Sequence, residues 1–254
     1  MSGLGVLLRR ELLEQRRTSR LLVVLAVFAV MGIVSPLTAF YLNEIIAAVG
    51  GGQIDLAFPP PTAADAVAQL IKNAGQFGGF IAVLLTMGAV VTEKERGTAA
   101  MILTKPATRP AFLVAKVAAV GLLLAISVAV AFALAAAYTA VLFEALPLTG
   151  VVASAAVLWL SLAVFAALTF LASTVAPSAI VAGGVGLAAL LATGILGALP
   201  GLGPWTPTGL WSAAQALALG QAPAADVVGP VLLNAGIAVA AVALAIVAFR
   251  RQEL

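Results

Sequence analysis

The chain contains neither cysteine nor histidine. Without thiols there is no disulfide and no thiol chemistry. Without imidazole or thiolate, most zinc, haem and copper sites are excluded, and so are nucleophile–histidine pairs. Charge is also scarce, at 9% of residues against 63% hydrophobic. No Asp, Glu, Lys or Arg falls near the middle of any apolar run, where ion-coupled carriers keep their working charges. No Gly-x4-Gly-Lys-Ser/Thr segment is present to cradle nucleotide phosphates. No Ser–His pair, His cluster or aspartate pair within the spans suits an intramembrane protease. The chain therefore offers no catalytic, cofactor or metal residue and is not expected to be an enzyme. Energy for any uphill movement must come from another chain.

What is abundant is apolar sequence. A mean hydropathy of +1.17 and several apolar runs of about twenty residues mark a helical membrane protein. Barrel strands would instead alternate over about ten residues. The first run is long enough to span and lacks an Ala-x-Ala exit, so no cleaved signal peptide is expected. The reading is an all-α membrane protein, one transmembrane domain over 1–254, with spans at about 21–42, 74–91, 111–143, 151–173, 178–199 and 227–249.

Three further elements are expected around the spans. Residues 1–20 read as an amphipathic interfacial helix, with Leu4, Leu8 and Leu12 on one stripe and Arg9, Arg10, Arg16 and Arg17 toward anionic headgroups. Thr62 with Asp65 fits a capping box, opening an interfacial turn or two that feed the second span. Between 200 and 225, Pro200, Pro204 and Pro207 break an apolar stretch bearing Trp205 and Trp211. Leu210, Ala214, Leu217 and Ala218 suit one short helix there, re-entering the membrane before the last span. Pro36 suits a kink in the first span, and Lys116 suits snorkelling from the inner end of the third. The few polar groups inside spans, among them Ser127, Ser161, Thr169, Thr193 and Asn234, read as packing or backbone-bonding groups.

Topology follows from charge. Of 13 Lys and Arg, all but Lys72 fall on the side that holds both termini and the 92–111 hairpin. By the positive-inside rule that side is the cytoplasm, and the plasma (inner) membrane is the expected location. The net charge of +3 is thereby explained by topology, with no nucleic acid required.

The hairpin itself carries the strongest signal. It reads Glu93-Lys94-Glu95-Arg96-Gly97-Thr98, then apolar residues including Met101 and Leu103, then Thr104-Lys105-Pro106-Ala107-Thr108-Arg109, then Lys116. Gly97 suits a helix end, Thr98 a cap, Pro106 a stop, and Thr108 with Pro110 the next start. This order, in this position, resembles the first cytoplasmic loop of ABC-2-type exporter permeases. The resemblance extends to the six spans, the basic amphipathic N-terminal helix, the broken segment before the last span and the final Phe249-Arg250-Arg251.

The resemblance implies a permease subunit of a transmembrane dimer, made with a second copy or a homologous chain. It would lie in the lipid bilayer and bind cytoplasmic ABC ATPase subunits that hold ATP and Mg. The loop at 92–110 would carry a coupling helix over Thr98 to Thr104, with Glu93, Glu95, Arg96, Gly97, Thr98, Met101 and Leu103 at the ATPase joint. The first and fifth spans would meet across the dimer, where Gly183, Gly184, Gly186, Gly194 and Gly197 would permit close approach. Export of a lipid-like, hydrophobic or peptide cargo is the function implied. The alternative is the membrane component of an assembly or maturation complex acting on an envelope protein, and a third, less favoured reading is an ion-coupled secondary transporter. No substrate contact can be assigned from sequence.

Overall fold

The computed structural model describes residues 3–49, 59–97, 108–221 and 224–252. They are helical: α1 (Leu4–Arg17), α2 (Arg20–Phe40), α3 (Leu42–Val49), α4 (Ala63–Thr86), α5 (Val91–Glu95), α6 (Arg109–Leu142), α7 (Leu148–Val175), α8 (Ala179–Gly197), a 3-10 turn (Gly203–Trp205), α9 (Leu210–Ala218) and α10 (Ala224–Arg250). Among the described residues, six stretches are long and apolar enough to cross a membrane. In hydrocarbon every backbone N–H and C=O must find a partner inside the protein, and a helix achieves this within one segment.

Local chemistry sets the boundaries. The backbone N–H and hydroxyl of Thr62 both donate to the Asp65 carboxylate, at 2.8 and 2.7 Å. From there α4 runs unbroken to Thr86, so the interfacial turn and the second span form one helix. The Thr108 hydroxyl accepts from the N–H of Ala111 at 3.3 Å, and Pro110 sits in the first turn of α6. With 34 residues, α6 is about 51 Å long, against about 30 Å of hydrocarbon. It must project from or tilt in the bilayer. Pro36 lies inside α2, four residues before its end.

The centre of the bundle is α7, which packs against α4, α6, α8, α9 and α10. Its Leu158, Leu162 and Phe165 meet Phe28 of α2, Leu70 of α4, Leu123 of α6 and Leu210 of α9 in the main core. A second cluster lies at the charged end: Val90, Phe112, Leu113, Phe170, Ala245 and Phe249, with Leu7 of α1 against it. The spans α8 and α10 are the most peripheral. Van der Waals packing, rather than water exclusion, drives such association in lipid.

At the opposite end, the segment between α8 and α10 is pinned by polar bonds. The Ser161 hydroxyl donates to the Pro207 carbonyl at 2.7 Å and accepts from the Trp211 indole N–H at 3.0 Å. Asn234 donates to the Trp205 and Pro230 carbonyls at 3.1 and 2.9 Å. The short helix expected here is present as α9, turning Leu210, Ala214 and Ala218 inward. Ser161→Ala strands a carbonyl and an indole N–H in an apolar setting, costing about 1–3 kcal/mol. The expected result is a lower melting temperature in detergent.

Several other polar groups inside spans bond to backbone. Ser127, Thr169 and Thr193 each donate to the carbonyl four residues before, on Leu123, Phe165 and Ala189.

Candidate functional site

The charged hairpin leaves the bundle through a helix break. α4 stops at Thr86, residues 87–90 form turns, and α5 restarts at Val91. Two N–H groups at the restart, on Val90 and Val91, donate to the Ser173 hydroxyl of α7 at 3.1 and 3.3 Å. The side chain of one span thus serves the start of another. After α5, Gly97 adopts φ +67, a left-handed conformation that suits glycine at a helix end. The helix that sequence carries through to Gly97 is therefore two helices, and the break is closed by α7.

Around α5 lies a buried ion cluster. Lys116, on α6, is only 6% exposed. Its ammonium is 2.6 Å from Glu93 Oε1 and 3.1 Å from Glu11 Oε1. The Phe112 ring lies one turn before it, with the nitrogen 5.2 Å from the centroid. Lys116 does not snorkel to the interface. α1 folds over it and brings a carboxylate, which substitutes for water. The half-buried residues of α1 include Leu4, Leu8 and Leu12, and Glu11 lies among them, while Arg9, Arg10, Arg16 and Arg17 are exposed. Part of the leucine stripe is thus engaged with α6.

Burial raises the Glu11 pKa above its ordinary 4.5. The Lys116 charge and hydrogen bond oppose that rise, while Glu93 and Glu14 add to it. Among the described residues, Glu11 and Glu93 share the Lys116 ammonium.

The neighbouring cations reach the far end of the chain. Lys94 donates to the Thr174 carbonyl at 2.7 Å and to Gln252 Oε1 at 3.2 Å. Gln252 Nε2 donates to the same Thr174 carbonyl at 2.9 Å. Arg109 donates to the Arg250 and Gln252 carbonyls, both at 3.1 Å. Cations at the last carbonyls of a helix satisfy orphan acceptors and complement its dipole. One short segment, 90–97, is therefore tied to α1, α6, α7 and the end of α10.

Of the residues sequence assigned to the joint, Glu93 is largely buried in the cluster, while Glu95, Arg96 and Gly97 are exposed at its edge. Thr98, Met101 and Leu103 lie outside the described residues, as does the expected coupling helix. Sequence reading missed Glu11, Ser173 and Gln252. Glu11 carried a signal, since an acid three residues after Leu8 and one before Leu12 stands on the leucine stripe. Ser173 and Gln252 carried none, because their partners are 82 and 158 residues away. No group of three or more metal-ligating side chains occurs among the described residues.

The family model for the ABC-2 family transporter proteins matches residues 6–208. The chain belongs to that family and is one of its membrane components. It is similar to the uncharacterized transmembrane protein YxlG of Bacillus subtilis (strain 168), with 28% identity over 119 residues. That alignment takes in 46% of this chain and 46% of the relative.

Proposed function

We propose that this chain is the permease subunit of an ATP-driven exporter, with ATP hydrolysed by separate cytoplasmic ATPase subunits. The observation that carries the reading is the bonding of segment 90–97 to four other helices. A push on the loop that follows it cannot stay local. It moves Glu93 against Lys116 and Glu11, Lys94 against the end of α10, and the α5 start against Ser173. For ATP to drive this, the ATPase must bind two arrangements of the spans with different affinity.

In this reading both termini and the hairpin face the cytoplasm at the plasma membrane. Glu95, Arg96, Gly97, Thr98, Met101 and Leu103 meet the ATPase, and Glu93 relays its movement. A second copy packs on α2 and α8, which expose Val23, Val30 and Val34 on one and Ile180 and Val185 on the other. The cargo is lipid-like, hydrophobic or peptide, because the spans present few groups for a sugar or a free ion.

The test is affinity purification of the tagged protein in mild detergent, with identification of what accompanies it. A nucleotide-binding subunit is expected. Met101→Glu with Leu103→Glu should lower its recovery at least tenfold, since burying an unpaired charge at a protein joint costs well over the ~1.4 kcal/mol that a factor of ten represents. Membrane insertion should not change. Undiminished recovery would remove the loop from the ATPase joint.

A further inference from the structure

We propose that the groove between α4, α8 and α9 binds an acyl amphiphile with a phosphate or carboxylate head. The groove holds about 740 Å³, within the roughly 300–1,000 Å³ of small-molecule sites. It lies within one protomer, at the end of the bundle opposite the ion cluster.

Its lining is graded. Phe80, Leu190, Leu191 and Ile195 make the apolar part, and Gln76, Thr208 and Ser212 supply polar groups. No charged residue lines it among the described residues. Trp211 forms a fixed wall. Its indole N–H is held by Ser161 at 3.0 Å, and its ring lies so close to Gly75 that a Cβ there would come within 2.6 Å.

The polar part continues along α4. Asp65, Gln69, Lys72 and Gln76 recur at helical spacing and form one stripe, and Phe80 follows four residues further on. This stripe descends from the helix start into the groove. Lys72 is exposed, one turn above Gln76, and makes no ion pair among the described residues. It is also the one basic residue on its side of the predicted topology. A long apolar tail against Phe80 and Leu190, a hydrogen bond from Gln76 and an anionic head at Lys72 match the three zones in order. A sugar or free ion would leave the apolar part unfilled, and an uncharged hydrocarbon would make no use of Gln76 and Lys72. The site is argued from the groove alone, and only calling its occupant cargo rests on the exporter reading above.

The experiment needs no ATPase, so its failure is separable from failure of that reading. Trp159→Phe and Trp205→Phe leave Trp211 as the sole tryptophan. The protein in nanodiscs of unbrominated zwitterionic lipid is titrated with a brominated single-chain phosphatidylglycerol, and separately with a brominated monoacylglycerol. Saturable quenching of Trp211 is expected, with the phospholipid binding at least tenfold more tightly. Lys72→Gln should remove most of that difference. Gly194→Leu should abolish saturation while leaving the melting temperature unchanged, because a Cβ at Gly194 meets nothing within 4 Å and a leucine there can fill the groove. Quenching that rises linearly without saturation, or saturation that survives Gly194→Leu, overturns the site. Equal affinity for the two probes overturns the anionic head. Absence of quenching by either overturns the occupant in favour of a groove covered by protein.

Discussion

Lys116→Met is expected to lower the stability of this protein by about 3–5 kcal/mol, the usual cost of removing one partner from a buried ion cluster. The variant keeps Glu11 and Glu93 enclosed, at 14% and 16% exposure, with no Lys116 cation between them. The measurement is thermal unfolding in a mild detergent. Two controls separate charge from packing. Lys116→Met combined with Glu11→Gln should recover much of the loss, because Glu11 is then neutral. Lys116→Arg keeps the charge with a bulkier head and should fall between the two.

The pH dependence of Lys116→Met has a definite sign. The folded pKa of Glu11 lies above its ordinary 4.5 because burial disfavours the carboxylate. A carboxyl with a raised folded pKa contributes its stability fully below the ordinary value and loses it as pH rises through the folded one. Lys116 holds that folded value down, so removing it moves the loss to higher pH. The variant should therefore melt at a higher temperature in mildly acidic than in mildly alkaline buffer, and by a wider margin than the unsubstituted protein. A flat or reversed profile would show that Glu11 is not the stranded group.

Gly32→Val is expected to cost about 3 kcal/mol or more, at the upper end of overpacking. A Cβ on Gly32 would lie 2.5 Å from the Ala131 carbonyl oxygen and 3.0 Å from its Cα. Both are backbone atoms of α6, so relief requires α2 and α6 to separate, and these two spans share extensive contact. Small residues at such crossings let backbones approach closely. The same change at Gly236 of α10, where a Cβ meets nothing within 4 Å, should leave the melting temperature nearly unchanged. Equal effects at the two sites would show that the crossing tolerates separation.

Much of the membrane architecture is legible in the sequence. Apolar run length announces a span because a lipid-crossing helix must satisfy its own backbone. Ser, Thr and Pro marked starts such as Thr62 and Thr108 because caps act over three residues. The break at 87–90 was not legible. No proline or glycine pattern there differs from the tolerated glycines of the other spans, and the group that stabilises it, Ser173, comes from a helix far along the chain. Lys116 shows the same limit. By local rules a lysine near a span end reaches for water, and only the packing of α1 on α6 puts Glu11 in its path.

By itself, the sequence determined that this chain is an all-helical, multi-pass membrane protein and that it belongs to the ABC-2 family. Those properties depend on residue type and short spacing, which lipid and the backbone read directly. Tertiary structure alone decided that segment 90–97 is bonded to α1, α6, α7 and the end of α10. It also decided that α4, α8 and α9 leave a graded groove at the other end. Both depend on contacts between distant segments, whose partners are chosen by packing geometry and the need to pair buried charge.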